Sequence, residues 1–545
     1  MKIKQGMFGL IFCIVASILS MSCSNETSNS CGCDPTAISS DLFYFGSLNF
    51  VDPSDPAHPI TIDPGTINHH LAAGIFCGIP NYATHTISAY NLSTVVYVRD
   101  GKFWRVSTLK GAPKTPVQVS SESNAVNIEI LKTISDYADH EQSIIVYAVP
   151  GPDGIINTLD DEYKMIRLNM TATDPPMFLD IGNFSSTAGY NLPLIWPLYG
   201  KDGSIGGFLS IYGRTLGRYD ADFNHVIDIA PANSYIAIGI YDNAIYLGNL
   251  IPVVIDGLLR FVNVTDNSIT KPIYAFSTTN WYGIQEKDGS YYYFVDGSKI
   301  LKIPGDGMNL PVTLVDEGSG NNIWRLSFTE NKVTYMLNYG AIKSVPKTGG
   351  SPIVVSSPPP GQNILLTYVD WATGQLYYGT YSPSVSDQFS EPVSAGMVKD
   401  DGTTGLSPVS PAGWIGEGFN STIPYSTDHP SSKYIFLVRD YTNFSATGFA
   451  DGTVESYDVA TAAKVADIGD IPSDITNLVP SFFGSNDGFL AAGKNAGGYG
   501  DIFFMNAAQN DSLMRLKDTP TIDESVKYIP SSSFMGFTGF MDSSP

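Results

Sequence analysis

The chain has 545 residues, of which only 15% are charged, and its 53 carboxylates outnumber 30 Lys and Arg to give a formal net charge of -23. A chain this acidic is repelled by polyanions, which argues against nucleic acid or anionic lipid as a partner. Gly, Pro, Ser, Asn and Tyr are abundant and long Leu/Ala/Glu/Lys stretches are scarce, so the chain is expected to be almost entirely β.

At the N-terminus, Lys2 and Lys4 precede an apolar run, Met7 to Leu19, and small residues follow before Cys23. That is the layout of a secretory signal over residues 1–22, with an apolar run too short to cross a bilayer as a helix. Leu19-Ser20-Met21-Ser22-Cys23 resembles the lipobox of bacterial lipoproteins, with the leucine one place further from the cysteine than is common. The resemblance implies cleavage before Cys23 and its acylation. Ser24 behind it implies the outer membrane, with the protein lipid-anchored and either periplasmic or surface-exposed. The other reading is an ordinary secretory signal cut at a nearby small residue. Residues 23–40 read as a polar flexible tether and 41–545 as the folded domain. In an oxidising compartment Cys77 can bridge to Cys31 or Cys33, leaving one thiol over. The Cys31-Gly-Cys33 pair has no second pair or histidine spacing to complete a metal site.

Asp41 to Ile62 opens a pattern of aromatic strand, turn, second strand, Pro-rich break and third short strand. It returns near Thr94, Ser143, Gly207, Asn243, Gln375, Lys433 and Asp487, at intervals of roughly 40 to 60 residues. Two consecutive copies are the clearest. In the first, Tyr291 to Val295 is an aromatic, β-branched run, Asp296-Gly297 supplies the turn, and Lys299 to Ile303 alternates polar and apolar. Pro304 to Gly307 breaks the chain before Val312 to Val315. In the second, from Lys332, the turn is Tyr339-Gly340, the following strand Ile342 to Val345, and the break Lys347 to Gly350.

A four-stranded unit at this spacing is the blade of a β-propeller, because each blade exposes two apolar faces that only a ring of blades buries. The expectation is all-β, a propeller of seven or eight four-stranded blades, closed by N-terminal strands that complete the last blade. A pair of smaller propellers, or a propeller followed by a β-sandwich, is the rival. The segments KILKIPGDGMNLPVTL and AIKSVPKTGGSPIVV resemble the hairpin and Gly-Gly pattern of TolB-like and low-density-lipoprotein-receptor-like propellers. The likeness covers about Ser290 to Ser356 and lacks the Tyr-Trp-Thr-Asp tetrapeptide of the receptor subgroup, so no receptor ligand comes with it. It implies binding or scaffolding more than catalysis.

Gly151-Pro-Asp-Gly-Ile-Ile-Asn-Thr-Leu-Asp-Asp161 sets Asp153, Asn157, Asp160 and Asp161 close together on a glycine-containing loop. Such hard oxygen donors suit calcium, although the spacing is not that of an EF-hand; a plain solvated turn is the other reading. Asp370-Trp-Ala-Thr-Gly374, echoed at Asp458-Val-Ala-Thr-Ala462, resembles part of the quinoprotein propeller motif, against a hairpin whose Asp caps the turn and whose Gly takes positive φ. No Gly-x-Ser-x-Gly elbow is present, and His69-His70 reads as a polar loop pair. Tyr291, Tyr292, Tyr293, Tyr377, Tyr378, Trp281, Trp324 and Trp371 either line a ligand surface or pack between blades. Two functions follow. One is a non-enzymatic, lipid-anchored envelope protein holding a protein, peptide or glycan on its loops. The other is a propeller-type enzyme, a quinone-dependent dehydrogenase or a glycan-cleaving enzyme with paired carboxylates at the channel mouth.

Overall fold

The computed structural model describes residues 42–44, 47–64, 69–71, 80–81, 86–87, 94–107, 113–118, 129–135, 142–149, 151–153, 162–169, 177–180, 194–199, 205–212, 215–229, 236–238, 250–263, 268–277, 281–285, 291–329, 331–369, 374–382, 392–414, 425–426, 434–445, 448–485, 487–497 and 500–517. Among them there is no helix, and the strands run largely in chain order through a series of small sheets, antiparallel except where Tyr425–Ser426 pairs with Ile475–Ser485.

Sheet A is three-stranded, Leu42–Tyr44, Leu48–Val51 and Ile60–Asp63. Eight four-stranded sheets follow. Sheet B is His69–Leu71, Thr94–Arg99, Lys102–Ser107 and Val117–Gln118, and sheet C is Glu129–Ser135, Gln142–Val149, Glu162–Asn169 and Met177–Asp180. Sheet D is Leu194–Tyr199, Ile205–Tyr212, Thr215–Tyr219 and His225–Asp228, and sheet E is Ile236–Ile238, Leu250–Ile255, Leu258–Asn263 and Tyr274–Ala275. The strongest repeats form sheet F, Trp281–Gln285, Tyr291–Asp296, Lys299–Pro304 and Val312–Asp316, and sheet G, Ile323–Phe328, Lys332–Leu337, Ala341–Pro346 and Ile353–Ser356. Sheet H is Asn363–Val369, Gln375–Tyr381, Pro392–Lys399 and Thr404–Val409, and sheet I is Ala412–Trp414, Tyr434–Arg439, Thr453–Asp458 and Lys464–Asp470. Sheet J has seven strands, built on the meander Ile475–Ser485, Gly488–Asn495, Gly500–Asn506 and Met514–Lys517.

Burial orders the strands within a sheet. Second strands such as Tyr291–Asp296 and Gln375–Tyr381 are buried along nearly their whole length, whereas the fourth strand His225–Asp228 is exposed throughout and Val312–Asp316 and Ile353–Ser356 mostly so. The fourth strands therefore form the perimeter and the first strands face the axis. The ladders joining third to fourth strands in sheets D, F, G, H, I and J carry register shifts, which twist the outer edge away from a flat, pairable strand.

Each sheet buries its faces against its neighbours. Leu209 and Leu216 of sheet D share one core with Val253, Leu259 and Phe261 of sheet E and Tyr292, Phe294 and Ile303 of sheet F. Tyr293, Val295 and Ile300 pack on Leu326, Val333 and Tyr335 between F and G, and Met336 and Ile342 on Leu376, Tyr378 and Val398 between G and H. Tyr377 and Met397 meet Ile435, Leu437 and Tyr457 between H and I, and Phe436 and Val454 meet Leu478, Phe489 and Phe503 between I and J. Phe103 of sheet B stands edge-on to Tyr147 of sheet C at 4.9 Å, and Arg167 of C donates to the Ala221 carbonyl in D. The series closes: Val51 of sheet A is fully buried against Leu490, Ile502 and Phe504 of sheet J. The chain is an all-β propeller.

Two expectations change. Sheet A was to complete the last blade by strand pairing; instead it ladders only within itself among the described residues and meets sheet J face to face through Val51. The described residues make eight four-stranded sheets, with A, J and the two-stranded pair Pro80–Asn81 and Thr86–Ile87 in addition. His69 and His70, read as a loop pair, begin the first strand of sheet B and pair with Val98 and Tyr97.

Turn chemistry follows the sequence closely. Asp100-Gly101 joins Arg99 to Lys102, and Asp256-Gly257 joins Ile255 to Leu258, with both residues of each turn at positive φ, as a type I′ hairpin requires. In sheet F the turn is Gly297-Ser298, with Gly297 at φ 62°, and Asp296 is the last paired residue before it.

Candidate binding surface

The meander fixes two rims. Turns between second and third strands lie beside the starts of the next sheet's first strand: Ile323 N donates to the Gly297 carbonyl, and Ile364 N to the Tyr339 carbonyl. Connections from first to second and from third to fourth strands lie at the opposite end. There Thr329 Oγ1 donates to Asp400 Oδ2 at 2.9 Å and Lys332 Nζ to the Asp400 carbonyl at 3.1 Å, tying sheet G to sheet H. The longest connections from first to second strands are residues 72–93, 239–249 and 415–433, which fall largely outside the described residues. Long loops on a rigid ring are where recognition concentrates.

Buried carboxylates between sheets are held by a recurring arrangement. Asp63, at the end of sheet A and 2% exposed, accepts from Tyr97 Oη at 2.6 Å and from Arg99 in sheet B. Glu317, after the last strand of sheet F, accepts from Tyr335 and, at 2.7 Å, from Lys343 Nζ in sheet G. Asp296 of sheet F accepts from Tyr274 Oη at 2.8 Å and from the amide and hydroxyl of Ser277 beyond sheet E. Within sheet I, Glu455 accepts from Tyr457 Oη at 2.6 Å and Lys464 Nζ at 2.8 Å. Burial, and then the neighbouring carboxylate, push the tyrosines upward: Tyr97 and Tyr335 well above the usual phenol range, Tyr274 and Tyr457 to about 12. Pairing and hydrogen bonding of this kind are the condition for taking a carboxylate out of water.

None of these staples was singled out from sequence. Asp296 was read as turn chemistry, and its actual role links two sheets. For Tyr97 and Tyr335 the available signal was a tyrosine inside an apolar second strand, a position that must find a partner for its hydroxyl once buried.

The residues that were singled out divide cleanly. Cys23, Cys31, Cys33, Cys77, Asn157, Asp160 and Asp161 lie outside the described residues, as do Asp370, Trp371 and Thr373. Asp153 is exposed in the turn that follows Gln142–Val149. Among the described residues no three His, Cys, Asp or Glu side chains gather as metal ligands. Asp458 accepts from the Thr461 amide and hydroxyl at 2.8 and 2.7 Å and Gly374 takes φ 69°, which is hairpin capping. Tyr292, Tyr293, Tyr377 and Tyr378 are buried between sheets, so they pack the ring. Trp324 stacks on Tyr339 with ring centroids 5.3 Å apart, both half-buried at the edge of the core between G and H. The side chains of Trp281 and of most first strands lie outside the described residues.

No protein-family model matches the sequence, and no curated protein does. Solved structures with partly similar backbones include a eukaryotic initiation factor, 10% identical over 78% of this chain and 94% of that one with a TM-score of 0.47. A dihydro-heme d1 dehydrogenase is 14% identical over 68% and 73%, TM-score 0.36. An oligogalacturonate lyase from Vibrio parahaemolyticus is 9% identical over 59% and 84%, TM-score 0.29. At such scores nothing about ligand or activity passes to this chain.

Proposed function

We propose that this chain is a lipid-anchored propeller of the bacterial outer membrane, akin to TolB-like lipoproteins, that holds an envelope protein, peptide or glycan on its long-loop rim without transforming it. Acylation at Cys23, a tether over 23–40 and a disulfide from Cys77 to Cys31 or Cys33 belong to the same reading, as does a calcium ion on Asp153, Asn157, Asp160 and Asp161. The observation that carries the non-enzymatic side is the fate of four carboxylates that lie in or between the sheets. Asp63, Asp296, Glu317 and Glu455 are each committed to a tyrosine and a further donor that join strands or sheets, which supports a ring built for rigidity. The enzymatic alternative needs paired carboxylates at the axis or a bound quinone. The full chain, purified from membranes, should bind one class of glycan or peptide saturably on an array and leave it chemically unchanged, and Cys23→Ser should release the chain from the membrane fraction. Turnover of a polysaccharide or of an alcohol with a quinone acceptor would replace this reading with the enzymatic one.

A further inference from the structure

Each sheet from B to I begins on its inner first strand, ends on its outer fourth strand and passes the chain to the first strand of the next sheet. The linking segments run from residues 410–411 at the shortest to 181–193 at the longest. Sheet A has three strands, and three features place them as second, third and fourth.

Ile60–Asp63 begins exposed and ends buried, as the fourth strand Val312–Asp316 does up to Val315, and it feeds the first strand of sheet B through residues 64–68. Its ladder with Leu48–Val51 carries a register shift, as third-to-fourth ladders do in sheets D, F, G, H, I and J and second-to-third ladders do only in H. Asp63 stands where Glu317 stands, at the end of an outer strand, and each accepts from a tyrosine in the second strand of the following sheet, Tyr97 and Tyr335.

Leu42–Tyr44 is then a second strand. In sheets B to J that strand is paired on both sides, whereas here, among the described residues, it is paired only with Leu48–Val51. Its other edge faces the axis, where backbone N–H and C=O groups need a ladder partner. In the other sheets the first strand comes just before the second along the chain. Residues 23–40 suit that place poorly, because Ser24 to Ser30 is polar throughout and Asp34-Pro35 follows, with no apolar alternation.

The other route is the link from sheet J. Met514 and Leu516 of its fourth strand pack on the core that includes Val51, so sheet A is the next sheet on the ring. Beyond Lys517 the chain runs on through residues 518–545, where Val526 and Tyr528 alternate with Ser525 and Lys527 ahead of Pro530. Tyr528-Ile529-Pro530-Ser531 repeats in type Leu478-Val479-Pro480-Ser481 of the first strand of sheet J, and a link over 518–524 falls within the range of the others. We infer that Ser525–Ile529, which lies outside the described residues, pairs antiparallel with Leu42–Tyr44 as the first strand of sheet A. The two ends of the chain then close the ring in one sheet, and opening it breaks ladder hydrogen bonds as well as the contact at Val51.

Hydrogen exchange of the full chain, read by mass spectrometry, tests the pairing. The amides of 525–529 should exchange about 100-fold or more slowly than those of a synthetic peptide covering 518–545. Tyr528→Pro removes a donor from the strand and should speed exchange at 42–44, whereas Phe537→Pro, further along, should not. Tyr291–Asp296 of sheet F should keep its protection in both variants. Peptide-like exchange at 525–529 overturns the inference, as does unchanged exchange at 42–44 in Tyr528→Pro. Loss of protection at 42–44 when residues 24–40 are deleted, with 525–529 unaffected, would give the edge to the N-terminal segment and overturns it too. Protection at 525–529 that fades on dilution as a dimer dissociates would seat the strand on a second copy of the chain, which also overturns it. Neither the lipid anchor nor a ligand enters the measurement, so the proposed function stands or fails separately.

Discussion

A tyrosine hydroxyl cannot be buried without a partner, and in this ring the partner is repeatedly a carboxylate that also needs one. Tyr457 with Glu455 and Tyr274 with Asp296 solve two desolvation problems with one bond. The consequence is pH-dependent. Burial first, and the carboxylate second, raise both phenols from 10.0 to about 12, so the folded state favours the protonated form. Their contribution is complete below the unfolded value and disappears as pH rises through the folded one. The melting temperature should therefore fall between pH 10 and about 12, and Tyr457→Phe with Tyr274→Phe should flatten that fall. An unchanged slope in the double variant would mean that other groups govern alkaline unfolding.

Among elements, the second and third strands of sheets B, E and F are joined by two-residue hairpins. Asp100-Gly101 and Asp256-Gly257 adopt the turn that their residue types dictate, because only glycine and a short polar residue occupy the left-handed region cheaply. Sheet C is among the sheets with a longer connection, residues 150–161 between Gln142–Val149 and Glu162–Asn169. Those two strands pair from Gln142–Asn169 to Val149–Glu162 without a shift, so the longer loop springs from a regular ladder. If calcium fills it, the metal should raise the melting temperature of the full chain and the Asp153→Ala, Asp160→Ala variant should lose that response. Equal melting in calcium and in chelator would reduce the loop to an ordinary acidic turn.

For the whole molecule, the described contact that closes the series is that of sheet A with sheet J. Sheets D to J share apolar cores, and among the described residues A meets J through Val51 against Leu490, Ile502 and Phe504, with Pro53 beside Gly488. A charge at that point has no partner and must be hydrated by parting the sheets. Val51→Asp should cost about 3 kcal/mol or more in a denaturant titration, and limited proteolysis should then begin near sheet A. Val51→Ala should cost about 1 to 3 kcal/mol and leave the cleavage pattern alone. Wild-type resistance in Val51→Asp would show that the ring is held shut elsewhere.

Strand, hairpin and repeat were legible because each depends on residues a few positions apart. Alternation in Lys299 to Ile303, the aromatic run from Tyr291 and the glycine of each tight turn express their conformations locally. Even the commitment of Tyr292, Tyr293, Tyr377 and Tyr378 to packing followed from their place inside strand runs. The staples were not legible, since Tyr97 lies 34 residues from Asp63 and Tyr335 lies 18 from Glu317, and nothing local says which carboxylate a buried phenol will meet. The same holds for the place of sheet A against sheet J. A strand's two faces are written in its own period of two residues, but its neighbour, and therefore what is covered and what is left in water, is fixed only when distant sheets pack.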